Sequence, residues 1–167
     1  MLKHSQIDRE WDRRLRIDTA GLDAREADAD RARYEPTPYA VLERLAESGW
    51  IGRDDRVLDY GCGKGRAVLF LAARLGCRAT GVDFSEKLIA DAEANRRRCP
   101  ARERAAFVCC PAERYAVRDE NAFFFFNPFS EKVLRVVLQR LRRSWYAAPR
   151  TMRLYCYYPS DEFAACL

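Results

Sequence analysis

The chain has 167 residues, 49% of them apolar and 33% charged, which suits one packed domain with a well-solvated surface. Its start, "MLKHSQIDREWDRR", is charged throughout and lacks an apolar h-region, which argues against a secretory signal. No apolar run approaches the ~18 residues of a membrane span, so no membrane association is expected and the cytoplasm is the expected compartment. Seven cysteines without a C-x-x-C pair, and one histidine (His4), supply no clustered ligand set. No metal is expected, and the thiols read as free. The net charge of +5 is uneven, because residues 1–35 carry eight basic and nine acidic side chains whereas 96–118 and 131–153 are strongly basic. Such a face can attract nucleic acid or an acidic protein, and is more commonly a solvated surface.

Ile7, Trp11 and Leu15 recur at four-residue spacing and predict a short amphipathic helix with these three on its apolar face. Residues 21–33 mix Ala, Asp and Arg, a helical composition with little apolar face. Residues 1–33 thus read as an N-terminal helical segment, a lid or a mobile appendage, ahead of one domain over 34–167. Pro36 and Pro38 hold an extended approach to a helix with Val41, Leu42 and Leu45 at helical spacing, ended by Ser48-Gly49.

From there the elements alternate. "RVLDYG" predicts a strand, "RAVLFLAARLG" a helix closed by Gly76, and "CRATGVDF" a second strand. Ser85 is a suitable N-cap for "EKLIADAEANRRR". "AAFVCC" is a third strand, and "NAFFFFNPF" a fourth whose unbroken apolar run suits burial on both faces. Residues 131–145 predict a helix with Val133, Val136, Val137, Leu141 and Trp145 inward, and "MRLYCYYP" a fifth strand. The β-α-β-α-β order implies a doubly wound α/β fold, a mainly parallel sheet with helices on both faces and its ligand at the carboxyl ends of the strands.

The loop between the first strand and its helix is Gly61-Cys62-Gly63-Lys64-Gly65. A phosphate-cradling P-loop needs G-x-x-x-x-G-K-[ST], and here Lys64 is followed by Gly65 and Arg66. A dinucleotide fingerprint needs G-x-G-x-x-G, and the spacing is G-x-G-x-G. Asp83 ends the second strand, where an acid can bind a ribose diol. Asp59, two positions before Gly61, would repel a pyrophosphate and suits a cationic amino group. The alternative for Asp59 is a carboxylate that orders the turn through backbone N–H groups. A ligand with an ammonium, a sulfonium and an adenosine diol but no phosphate, S-adenosylmethionine, fits the charges better than a nicotinamide dinucleotide.

"VLDYGCGKGR" with "GVDFS" resembles the cofactor half of class I S-adenosylmethionine-dependent methyltransferases, with their D-x-G-x-G-x-G loop and the acid ending the second strand. The likeness in element order runs from about Tyr34 to Pro159. It implies the Rossmann-like fold of that family and S-adenosylmethionine as cofactor. Asp59, Gly61, Gly63 and Gly65 would hold the methionine portion, Asp83 the ribose hydroxyls, and Phe84 would flank the adenine. "YEPTPY" resembles a segment that some members lay over the cofactor, which adds Tyr34 and Thr37. The family's acid-Ala pair after the third strand meets the adenine amino group. Here "VCCPAERY" places Pro111 there, with Ala112 and Glu113 next.

Asn127-Pro128-Phe129 resembles the N/D-P-P-Y/F motif of amino-group methyltransferases, one residue short. By that resemblance Asn127 and a backbone carbonyl accept hydrogen bonds from the target amine, and Phe129 stacks on its planar group. The other reading has Asn127 and Pro128 stopping the strand, with Ser130 as N-cap of the next helix. "FFNPF" continuing through "PR" to "YYPSD" also resembles a group of bacterial methyltransferase-like proteins. The family fold closes with two further strands that this chain lacks, so the fifth strand is expected to have an exposed edge, a route to a homodimer. The implied activity is methyl transfer to an amine nitrogen, with a protein amine, a nucleobase and a small molecule open as acceptors. An inactive methyltransferase-like binding module and, further off, a nicotinamide-dependent oxidoreductase are the alternatives.

Overall fold

The structure, a computed structural model, describes residues 6–23 and 29–167. His4 lies outside them. The strands are β1 (Arg56–Tyr60), β2 (Arg78–Asp83), β3 (Ala105–Cys109), β4 (Ala122–Phe126) and β5 (Arg153–Tyr157). They form one sheet of order β3-β2-β1-β4-β5 in which every pairing is parallel. Parallel neighbours require crossovers, and these are α3 (Arg66–Leu75), α4 (Glu86–Arg98) and α5 (Glu131–Ala147). The chain moves outward from β1 to β3 and then returns to β4 on the other side of β1. That reversal opens a crevice at the carboxyl ends of β1 and β4, where doubly wound sheets bind ligands.

β4 shows why a continuous phenylalanine run belongs in the middle of such a sheet. Phe124 faces the core under α3, while Phe123 and Phe125 face the core under α5. All three are at most 2% exposed, and each is worth about 1.5–3 kcal/mol of burial. Gly76 closes α3 with φ +69°, and the Ser85 hydroxyl caps α4 by accepting the Leu88 N–H at 3.2 Å. The outer edge of β5 has no partner strand among the described residues.

Three sequence expectations change. The helix α1 (Gln6–Leu15) forms, but it buries Asp8, Asp12 and Leu15 and leaves Ile7 48% exposed. In α5 Val137 and Leu141 face inward as expected and Val133 is partly buried beside them, but Leu134 joins them while Val136 and Trp145 are exposed. The expected helix over 21–33 lies partly outside the described residues, and 21–23 and 29–33 are not helical.

An ionic network explains the unexpected face of α1. Arg66, at the first turn of α3, is 3% exposed, and its guanidinium lies 3.4 Å from Asp8 and 3.7 Å from Asp12. It also donates to Thr19 Oγ1 at 2.7 Å and to the Thr37 carbonyl at 3.1 Å. Asp12 accepts from the Thr19 and Tyr39 hydroxyls, and Tyr39 lies under the guanidinium at 4.5 Å. Burial, and then Asp12, push the Tyr39 hydroxyl far above its ordinary pKa, so it stays a donor. Trp11 completes the seam, edge-on to Phe70 with its Nε1–H donating to Glu43. Through these contacts α1 joins α3 and α2 (Tyr39–Glu47) in one core with Leu15 and Ile17.

Removing Arg66 leaves two carboxylates buried without their cation. Arg66→Ala should cost about 3–5 kcal/mol in urea unfolding, and Asp12→Asn on that background should restore part of it. An Arg66→Ala chain as stable as the parent would show that the network does not hold α1.

Candidate active site

The crevice is a cavity of about 340 Å³, within the range of about 300–1,000 Å³ common for small-ligand sites. Its floor is the end of β1 and the glycine loop, through Asp59, Gly61 and Cys62. Val82, Asp83 and Phe84 form one wall, Pro111, Ala112 and Glu113 extend it, and Phe126, Pro128 and Phe129 face it from β4. Residues from the strap before α2, among them Arg31, Tyr34 and Thr37, cover it. The strap is held by single antiparallel bridges, Asp23 to Tyr34 and Arg31 to Phe129, and by an ion pair of Lys87 with Asp23 at 3.0 Å.

The three glycines have different jobs. A Cβ on Gly61 would fall 2.5 Å from the Pro128 Cβ, so this glycine lets the turn after β4 close onto the loop. Gly63 and Gly65 are buried and do not line the cavity. A Cβ on Gly63 would enter the Tyr34 ring at 2.3 Å, and one on Gly65 would enter Phe107 at 2.4 Å. All three also have positive φ, which an L side chain resists. Gly63 and Gly65 thus shape the loop from behind, and of the three glycines only Gly61 lines the cavity.

The two acids divide the roles that sequence left joined at Asp59. Turn ordering falls to Asp83, which accepts the Gly63 N–H at 2.9 Å and the Ser85 N–H at 3.0 Å. Asp59 is 4% exposed and lines the cavity, and it takes no hydrogen bond from any described residue. Burial, and then the neighbouring Asp83, push the Asp59 carboxyl well above the ordinary carboxylate range. A buried carboxyl without a donor is neutralised by a proton or by a cation brought to the cavity. Cys62 beside it is also driven up by burial and is no thiolate nucleophile.

The remaining expected residues separate. Phe84, Ala112, Glu113, Tyr34 and Thr37 all line the cavity. The Tyr34 hydroxyl donates to the Thr19 carbonyl at 2.6 Å, while Arg31 lies 4.4 Å over the Phe84 ring. Asn127 does not line the cavity: it is exposed with φ +39°, a turn conformation that asparagine tolerates. The Pro128 carbonyl already accepts the Ala32 N–H at 3.2 Å. The Phe129 ring is 8% exposed and packs edge-on against Tyr60 and Phe125, so its faces belong to the core. Ser130 stands at the N-cap position of α5, but its hydroxyl donates to Asp30 at 2.7 Å instead of capping. The Asn127 side chain, the backbone carbonyl and the Phe129 ring expected to grip an acceptor amine therefore do not converge on one point.

Arg66 and Arg31 line the cavity and were not expected there. Arg66 carried a signal: a cation in the first turn of an apolar helix opposes the helix dipole and needs anions from elsewhere. Arg31 carried none, because its place over Phe84 depends on the path of the strap. Among the described residues no group of His, Cys, Asp or Glu could hold a metal ion, and no helix is long and apolar enough to cross a membrane.

The protein family described as a methyltransferase domain matches residues 57–145, just over half of the chain. The chain belongs to this family. A protein-lysine N-methyltransferase from Saccharolobus islandicus is 36% identical over 76 residues, which is 45% of this chain and 47% of that protein. The chain thus spans about half the length of this curated relative. Among solved structures, an RNA methyltransferase from Salinibacter ruber in complex with S-adenosylhomocysteine aligns with TM-score 0.55 and 23% identity, over 68% of this chain and 70% of its own. An S-adenosylmethionine-dependent methyltransferase from Geobacter sulfurreducens, also with S-adenosylhomocysteine, aligns with TM-score 0.54 and 24% identity, over 65% and 44%. These likenesses establish the Rossmann-like methyltransferase fold.

The residues present fit the methyl donor of this family. Asp59 lines the cavity with a buried carboxyl that would suit its ammonium, Asp83 lines the wall where an acid would meet its ribose, and the glycine loop is no phosphate-binding P-loop. The raised Asp59 pKa gives a test. Its folded pKa lies above the unfolded value of about 3.9, so its contribution to stability is present below that value and lost as pH rises through the folded one. A cationic ligand favours the ionised form, so affinity for S-adenosylmethionine should rise with pH through the same window, with release of a proton. Calorimetry in buffers of different ionisation heat reads that proton. Asp59→Asn should release none, and a parent chain that binds with no proton release would exclude this role.

Proposed function

We propose that the chain binds S-adenosylmethionine in this cavity and transfers its methyl group to an amine nitrogen of an acceptor. The unpartnered buried Asp59 carboxyl facing the cavity carries the donor half of the reading. S-adenosylmethionine supplies an electrophilic methyl on a sulfonium, and the chain's own residues hold and align it. Asp59 offers its carboxylate to the ammonium, Asp83 its carboxylate oxygens to the ribose diol, and Phe84 a ring to the adenine. Glu113 lines the same wall and has no partner among the described residues, so it is placed to accept the adenine amino protons. Holding donor and acceptor in line supplies most of the catalysis in such a displacement.

The amine half rests on the likeness, over 76 residues, to a protein-lysine N-methyltransferase. The acceptor approaches over Pro128, Phe126 and Val133, the face of the cavity opposite Asp83. Asn127 is assigned to the turn and not to the acceptor. Asn127→Ala should therefore keep the parent's cofactor affinity and keep single-turnover methyl transfer within about threefold. A loss of about 10²–10³ in rate with unchanged affinity would return Asn127 to the catalytic group.

Asp83→Ala should weaken S-adenosylmethionine binding by at least about tenfold. It should also lower stability by about 1–3 kcal/mol, because the buried Gly63 N–H loses its acceptor. Unchanged affinity in a folded Asp83→Ala chain would remove this residue from the site. Incubation with methyl-labelled S-adenosylmethionine and lysine-rich protein, nucleic acid or small amines tests transfer itself. Binding without transfer to any of them would favour the second reading, a binding module, which the occupied Pro128 carbonyl and the proline at position 111 support.

A further inference from the structure

The amino-terminal ends of the strands, opposite the methyl-transfer cavity, carry a second and different cluster. Arg56 and Arg78 begin β1 and β2 and are direct register partners. Arg104 immediately precedes β3, whose first residue Ala105 pairs with Ala79, so it continues the same row one strand further out. Adjacent strands lie about 4.8 Å apart, and like charges set opposite one another are destabilising. Arg53 joins them from the turn before β1, and the four arginines with Asp54 and Asp55 line a groove of about 190 Å³.

The charges in this groove are unequally satisfied. Arg56 pairs with Asp119 at 3.1 Å. Asp55 accepts from the Gly52 N–H and from Asn121, so its oxygens are committed to the turn. The guanidiniums of Arg53, Arg78 and Arg104 have no hydrogen-bond or ion-pair partner among the described residues. Three unpaired guanidiniums thus face one small groove whose two carboxylates leave them in excess.

We propose that this groove binds a phosphoryl group, with Arg78 and Arg104 as its principal ligands. Planar guanidiniums match a tetrahedral oxyanion bidentately, and an anion held between the strand ends offsets the repulsion along the row. The groove lies at the far end of the strands from Asp59, so this site stands whether or not methyl transfer is found.

Calorimetric titration with inorganic phosphate, against sodium chloride at matched ionic strength, tests it. The parent chain should bind one phosphate per chain. Arg78→Gln should weaken it by about tenfold and Arg78→Gln/Arg104→Gln should abolish it, with thermal midpoints in chloride unchanged because these side chains are not in the core. Arg142→Gln/Arg143→Gln, on the equally basic α5, should bind as the parent does. Glycerol 3-phosphate and a short oligouridylate distinguish the sources. Equal affinity for the first two assigns a free oxyanion or phosphomonoester. A gain for the oligomer that the groove variant loses assigns a nucleic-acid backbone. No phosphate binding above chloride, or binding that survives in Arg78→Gln/Arg104→Gln, overturns the proposal.

Discussion

The fold's most consequential interaction is the buried guanidinium of Arg66. Burying a cation costs several kcal/mol unless anions and hydrogen-bond acceptors surround it, and here each comes from a different segment. Asp8 and Asp12 come from α1, Thr19 from the chain after it, and the Thr37 carbonyl from the strap. Satisfying one side chain therefore fixes the approach of the N-terminal helix and the path of the strap. It also fixes the first turn of the helix that follows the glycine loop. The cavity takes its roof and part of its floor from the same ionic centre.

The floor follows from close approach. Gly61, Gly63 and Gly65 allow Pro128, Tyr34 and Phe107 to press on the loop from three directions. Asp83 then pins the loop by its Gly63 N–H, which leaves Asp59 as a buried carboxyl that meets the cavity without a donor among the described residues. Two acids one strand apart thus differ in role because one faces backbone N–H groups and the other faces open space.

What the sequence made legible was local. Strand and helix order, the Gly76 and Ser85 caps, the buried fourth strand and the loop-plus-acid signature all depend on residues near one another in the chain. The errors came from long-range partners. Ile7, Trp11 and Leu15 looked like the buried stripe of α1 because apolar spacing is the usual signal, and Asp8 and Asp12 outweigh it only once Arg66 lies opposite, 58 residues along the chain from Asp8. Asn127-Pro128-Phe129 matched a motif in letters. The positive φ of Asn127 and the Phe129 packing, both tertiary outcomes, turn the first away from the cavity and the second into the core. In α5 Val137 and Leu141 lie inward as their spacing indicated, and Leu134 joins them in a core shared with Phe125 of β4 and Phe163 of α6 (Asp161–Ala164), while Val136 and Trp145 are exposed.

Pro128 resting on Gly61 has a consequence for how the two halves of the cavity communicate. The turn that follows β4 and the loop that follows β1 touch without clearance, so neither backbone shifts alone. A molecule held against Pro128 would meet a surface whose position the Gly61 loop sets, and any coupling to a second molecule over Gly61 would by linkage be reciprocal.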